Sequence, residues 1–302
     1  MEGIPAGIRL TPEIFSKDID RRRPALTGET TRHEDDIPTI EGLDAEGFTT
    51  NNPIRISFHN SNTRSKDYSH LVTHPRPSHA DLVQRRKYGA DYDLAGGGIA
   101  SGRMTIALVA AGVVAKRIID SVSFDTRLVE VGGSDNTADF EAIIAEASRA
   151  GDSVGGVVEC RVSGITPLLG EPFFDSVESV IAHLLFAIPA VKGVEFGDGF
   201  AGARKRGSER NDTIIDSEGH TLTNNEGGIN GGIANGNDII VRVAIKPTPS
   251  IASSQRTYNL DKESIEPLTI GGRHDACIAR RAAVVVEAAV AIALADLYLI
   301  AL

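Results

Sequence analysis

From Met104 to Ala115 the chain reads Met-Thr-Ile-Ala-Leu-Val-Ala-Ala-Gly-Val-Val-Ala, and no charged residue falls between Arg103 and Lys116. The composition predicts a helix, and a helix that is apolar on every side has to be buried on every side. The rest of the chain must therefore be layered around it. Its entry is equally distinctive. Gly96-Gly97-Gly98 and Ser101-Gly102-Arg103 precede it, and Arg76-Pro77-Ser78-His79-Ala80-Asp81 stands a short way upstream. Glycines let backbone N–H groups come close to a ligand, and a helix N-terminus favours an anion or an electron-rich ring. A histidine and two arginines thus converge on the mouth of a core helix, although glycines there also serve simply to make a tight helix entry.

A second apolar stretch, Ala282 to Leu302, is long enough to raise the question of a membrane span. Glu287 and Asp296 lie inside it and alanine supplies much of its apolarity, so a buried core helix is the expectation. The chain of 302 residues carries a net charge of −10, which argues against a general nucleic-acid binder. Its cations are clustered at Arg21-Arg22-Arg23, Arg85-Arg86-Lys87, Arg204-Lys205-Arg206 and Arg280-Arg281. Local basic pockets on an acidic body suit a small anionic ligand, while a solvated cluster is the commoner explanation for any one of them. Cys160 and Cys277 show no metal-binding spacing and point to a reducing compartment. Neither a basic nor a long apolar region opens the chain, so a cytoplasmic location is expected.

Between these landmarks, period-two alternation predicts strands at Ile54–Phe58, Val158–Val162 and Ile239–Ile245, with a short one ending at Phe196. Helical spacing predicts helices over 139–150 and 176–187. Thr11-Pro12-Glu13 is expected to start a short helix, and 60–77 to form a long loop. Strands and helices mix without regular βαβ alternation, which favours an α+β fold.

Several segments then resemble the chorismate synthase family, in the family's order and over nearly the whole chain. They are Arg21-Arg22-Arg23-Pro24, Arg64-Ser65-Lys66-Asp67-Tyr68, the Arg76–Asp81 run, Lys87-Tyr88-Gly89, the 151–156 turn, the 190–197 segment, Gly227-Gly228-Ile229, the Lys246–Ile251 loop and Arg273-His274-Asp275. The resemblance implies a single domain over residues 1–302 with core helices between two antiparallel sheets, assembled as a homotetramer without nucleic-acid or membrane partners. It implies an anti 1,4-elimination of phosphate from 5-enolpyruvylshikimate 3-phosphate, with reduced FMN as cofactor, no resident metal and NADPH as a candidate reductant. By motif, His79 and Asp275 are the expected proton-handling residues. Arg21, Arg22, Arg103 and Arg273 are the expected substrate-binding ones. Ser101, Gly231, Lys246, Pro247, Thr248, Pro249, Ser250 and Arg273 are expected to contact the flavin. The chemistry agrees, because a phosphate and two carboxylates call for guanidinium forks and proton transfer calls for an imidazole.

The sequence also departs from the family. It starts beyond the usual Gly-Glu-Ser-His-Gly loop, Ile99-Ala100 replace an Arg-Ser pair at the flavin, and Gly102, Met104 and Gly28 replace alanine, glutamate and arginine. These departures leave two alternatives beside an active lyase: a homologue that only binds its ligands, or a subunit that only assembles with a complete paralogue.

Overall fold

The computed structural model describes residues 1–25, 28–30, 35–59, 71–89, 92–93, 95–271 and 274–302, excluding the side chains of 95–97. In chain order the elements are α1 (Pro12–Arg22), β1 (Pro38–Glu41), β2 (Arg55–Phe58), α2 (Asp81–Tyr88), α3 (Thr105–Ile118), β3 (Ser123–Val131), α4 (Phe140–Arg149), β4 (Gly156–Ser163), α5 (Val177–Phe186) and β5 (Val191–Phe196). There follow the short turns α6 (Gly199–Gly202) and α7 (Gly207–Arg210), then β6 (Ile229–Asn230), β7 (Ile233–Ala234), β8 (Ile239–Ile245), β9 (Gln255–Asn259), β10 (Ser264–Leu268) and α8 (Ala279–Ala301). Short 3₁₀ turns at Ala95–Ala100 and Gly102–Met104 lead into α3.

The central sheet has four antiparallel strands in the order β3-β4-β8-β5. Register explains its two faces, because successive side chains point to opposite sides. Val158 opposes Val243 and Cys160 opposes Val241, and all four are buried against the helices. The next residues point outward, where Glu159 and Glu195 flank Arg242 on neighbouring strands at 3.4 and 2.7 Å. Helices α3, α5 and α8 form the layer beneath, and α8 packs on β3 and β4. The β1–β2 ribbon touches α1 and α3 from the other side. The helices therefore lie between two antiparallel sheets, as the family resemblance implies, the second being two-stranded among the described residues.

The alanine content of α8 has a packing reason. A Cβ at Gly112 of α3 would stand 2.4 Å from the Cβ of Ala288, so the helices approach more closely than larger side chains permit. Glu287 is 4 % exposed, whereas Asp296 faces outward. Two-thirds of the most apolar window of α8 is buried within the protein, as expected of a core helix. The all-apolar α3 is buried at Val109, Ala110 and Gly112–Ala115, and Ala107 remains exposed. Strand β2, β4, β8, α4 and α5 match the sequence expectations within a few residues. Thr11 starts α1 through Pro12 at the first helical position and makes no side-chain cap. The 60–70 part of the expected long loop lies outside the described residues.

Candidate active site

Local sequence places His79 at the entry to α2. Pro75 and Pro77 keep the preceding backbone out of the helix, and Asp81 is the first helical residue. The β9–β10 hairpin braces this entry from behind, since Leu260 N–H donates to Thr73 O at 2.9 Å and the Thr257 hydroxyl donates to Pro75 O. Arg76 is 6 % exposed and Asp81 fully buried. The Arg76 Nε and Nη2 donate to Asp81 Oδ2 and Oδ1, each at 2.7 Å, and its main-chain N–H adds a bond to Oδ2 at 3.1 Å. Nη1 reaches the Ser250 hydroxyl at 2.9 Å. His79 completes the group, with Nδ1 2.7 Å from Asp81 Oδ1 and 3.1 Å from Arg76 Nη2. Burial would raise the Asp81 carboxyl, but hydrogen bonds from Arg76 and His79 outweigh it and hold the carboxyl below its usual range.

The loop after β8 enters the same group. Lys246 donates to Ser78 O at 2.6 Å, while Ser250 meets Arg76. Burial, and then the charge of Lys192, hold the Lys246 ammonium below its ordinary range. The loop is braced by the 151–156 turn, where the Ser153 hydroxyl donates to Thr248 O at 2.8 Å. A Cβ at Gly155 would meet Ile245 O at 2.5 Å and the Pro247 ring at 3.1 Å, so the turn can approach only as glycine. Gln255 donates to Pro249 O at 3.2 Å on the other flank.

A second polar group lies at the entry to α3. Arg22 is 7 % exposed, and its guanidinium donates to Thr105 Oγ1 at 3.2 Å, Gly102 O at 3.3 Å and Arg103 O at 3.0 Å. The Ser101 hydroxyl accepts from Arg103 N–H at 3.3 Å, and the Arg103 side chain is half-buried. Arg281 ties this group to Asp275, donating to Arg22 O at 2.7 Å and to Asp275 Oδ2 at 2.9 Å. Thr30 N–H donates to Asp275 Oδ1 at 2.9 Å. His274 lies between the two groups electrostatically: burial, then the Arg76 charge, lower its basicity against opposing effects of Gly271 O and Asp275.

The structure thus gathers His79, Lys246, Pro247, Thr248, Pro249 and Ser250 into one assembly, and Arg22, Ser101, Arg103 and Asp275 into an adjoining one. Arg273 lies outside the described residues. Two expected residues stand elsewhere. Arg21 forms a bidentate pair with Glu287 at 2.8 and 2.7 Å inside the helix layer. Gly231 turns the β6–β7 hairpin, next to the start of β8, whereas Lys246 follows its end. Seven strand residues separate those ends by roughly 20 Å. Sequence reasoning missed Arg76, Asp81 and His274 as site residues, although all three stand in the two motifs it singled out. The His-x-Asp spacing at a helix start was the available signal.

The geometry matches a known family along the chain. The sequence model described as chorismate synthase matches residues 1–299. The chain belongs to the chorismate synthase family. A chorismate synthase of Chitinophaga pinensis is 52 % identical over 301 residues, covering 99 % of this chain and 90 % of that relative. One from Methanobrevibacter smithii is 41 % identical, covering 98 % and 89 %. A crystal structure of chorismate synthase superposes with a TM-score of 0.74 at 29 % identity, covering all of this chain and 87 % of that one.

Proposed function

We propose that the chain eliminates phosphate from 5-enolpyruvylshikimate 3-phosphate to give chorismate, using reduced FMN, with NADPH as the reductant of the flavin. A cytoplasmic homotetramer is the proposed working form. The observation that carries this reading is the His79 imidazole, anchored by a buried Arg76–Asp81 pair beside a cationic loop. The donor set fits a flavin: Lys246 spends one of its three N–H groups on Ser78 O, and the loop bearing it is tied down through the Thr248 and Pro249 carbonyls. Reduced flavin supplies electron density to a reaction with no net redox change.

The chain's own residues do the rest. Lys246 and the neighbouring arginines set a positive field for a phosphate and two carboxylates. Arg22 shapes the α3 entry with its guanidinium, and Arg103 and Ser101 are carried on that turn. His79, its Nδ1 turned to Asp81, is 15 % exposed and holds or passes a proton at Nε2. Asp275, fixed by Arg281 and Thr30, lends negative charge at the flavin side. An anaerobic assay with substrate and reduced FMN, reading phosphate release from the parent chain and from His79→Gln, tests this. Release by the parent and loss in the variant are expected, and no release by the parent would sink the reading.

Ile99 and Met104, 60 % and 54 % exposed, favour a second reading in which binding persists and turnover is weak. Thermal stabilisation by substrate or FMN without phosphate release would select it.

A further inference from the structure

Arginines on the outward face of the central sheet come paired. Arg127 meets Glu159 at 3.2 Å, Arg161 meets Asp238 at 3.3 Å, and Arg242 meets Glu195 and Glu159 at 2.7 and 3.4 Å. Lys192 and Lys246, at the sheet end that meets Ser78, differ. Among the described residues neither has a carboxylate partner, and the Lys246 ammonium has only Ser78 O. Two irregularities of the backbone bring these lysines together. Strand β5 lies at the sheet edge, and its register slips between Val191, opposite Ile245, and Gly193, opposite Ala244, so Lys192 is the extra residue of a bulge. Strict alternation back from Val194, which packs on the core, would point residue 192 inward. The bulge returns Val191 to the core instead and leaves Lys192 exposed. Just before it, Ala190 holds a left-handed φ of 74°, unfavourable for a residue with a Cβ, and its carbonyl accepts the Lys246 N–H at 3.0 Å. The two ammonium groups are thereby held within electrostatic reach of one another, and the Lys192 charge adds to burial in lowering the basicity of Lys246. Repulsion of this kind is relieved when an anion is shared between the two charges.

We propose that Lys192 is a further ligand-binding residue of this site, which clamps a phosphate monoester together with Lys246. This rests on the reading of the Lys246 loop as a ligand-facing loop. A phosphate monoester suits the pair better than a carboxylate does, because it approaches a dianion near neutral pH and has three acceptor oxygens to divide between two ammonium groups. Lysine binds phosphate as a point charge and needs no fixed fork, so an exposed side chain on a bulge can serve. Two phosphate monoesters occur among the proposed ligands, the ring phosphate of the substrate and the terminal phosphate of FMN, and they present the same chemistry to the pair.

The test uses the full-length protein, with Lys192→Gln and Lys192→Arg beside the parent. Dissociation constants are measured anaerobically for reduced FMN, for reduced riboflavin, which differs only in lacking the phosphate, and for the substrate. If the flavin phosphate is the occupant, Lys192→Gln should bind FMN about tenfold more weakly and riboflavin within about twofold of the parent. If the substrate phosphate is the occupant, the substrate alone should weaken by about that factor. Lys192→Arg, which keeps the charge, should stay near the parent in either case, and the loss in Lys192→Gln should shrink at high salt. FMN and substrate both within about twofold of the parent in Lys192→Gln overturn the proposal. Equal weakening of FMN and riboflavin overturns it too, since the lysine would then not be meeting the phosphate, and so does a parent chain that binds neither FMN nor substrate. Phosphate-dependent binding that is lost in Lys192→Gln, in a protein that releases no phosphate from the substrate, would leave the clamp intact and remove the proposed activity instead.

Discussion

Two ionic assemblies built on buried carboxylates lie in this molecule, and they differ in whether every member finds an opposite charge. In the helix layer, Asp18, Arg21, Lys116 and Glu287 from α1, α3 and α8 pair with one another: Arg21 with Glu287 and Asp18, Lys116 with the same two carboxylates. Positive and negative charges cancel, and the partners all come from within the group. At the α2 entry, Arg76 and Asp81 also cancel, but the His79 imidazole is added to them with no opposite charge of its own in the group. The closed group can only hold helices in register. The open one holds a titratable atom in a fixed direction. Sequence neighbours fall on opposite sides of this division, since Arg21 belongs to the closed group and Arg22 to the α3 entry beside the open one.

The comparison breaks first at Glu287. Glu287→Ala removes the buried carboxylate of this group and leaves Arg21 and Lys116 to Asp18 alone, a loss of charge-assisted hydrogen bonds worth about 1.5–3 kcal/mol. Urea unfolding should show a clearly lowered midpoint, and a midpoint within error of the parent would mean that Glu287 does not hold the group together. His79→Gln should do the converse, lowering turnover about 10²–10⁴-fold while the urea midpoint stays put. A large drop in stability there would make the histidine a structural residue.

Acid should act on both assemblies. Burial would raise the Glu287 carboxyl, but Arg21 and Lys116 hold it below its ordinary range, and Asp81 is depressed likewise. A depressed folded-state pKa adds stability that is complete above the unfolded value, about pH 4, and is lost as pH falls below it. Stability should therefore decline steeply below that point, with a shallower slope in Glu287→Gln; equal slopes would show that Glu287 carries no linkage. The smallest expected change concerns the turn that leads into α3. Replacing Ile99→Arg and Ala100→Ser together should tighten reduced flavin up to about tenfold, worth roughly 1.4 kcal/mol. Unchanged flavin affinity would place the cofactor elsewhere.

The family and most of the elements were legible because their signals are local. Period-two alternation reads out β2, β4 and β8 wherever one face is buried, and the charge-free run of α3 announces a core helix. The ordered motifs around His79, the 151–156 turn and Lys246 carried the rest. His79 was singled out from its motif, but its neighbour Asp81 went unremarked, since a two-residue spacing says nothing about side-chain direction until the helix start is set.

What the sequence by itself determined is the inventory: a helix with no polar face, alternating strands, and cations and a histidine grouped in particular segments. Which cation serves which role was decided only by the tertiary structure. Arg21 and Arg22 are adjacent, yet the helical step of about 100° per residue sends one to Glu287, far along the chain, and the other to the backbone at Gly102 and Arg103. The same holds for Asp275, whose partner is Arg281 and Thr30 N–H. Gly231 stands at the far end of β8 from Lys246 because an extended strand carries its two ends apart. Electrostatic partners are set by distance in space, and a buried charge takes whichever partner the packing of α1, α3 and α8 brings within reach.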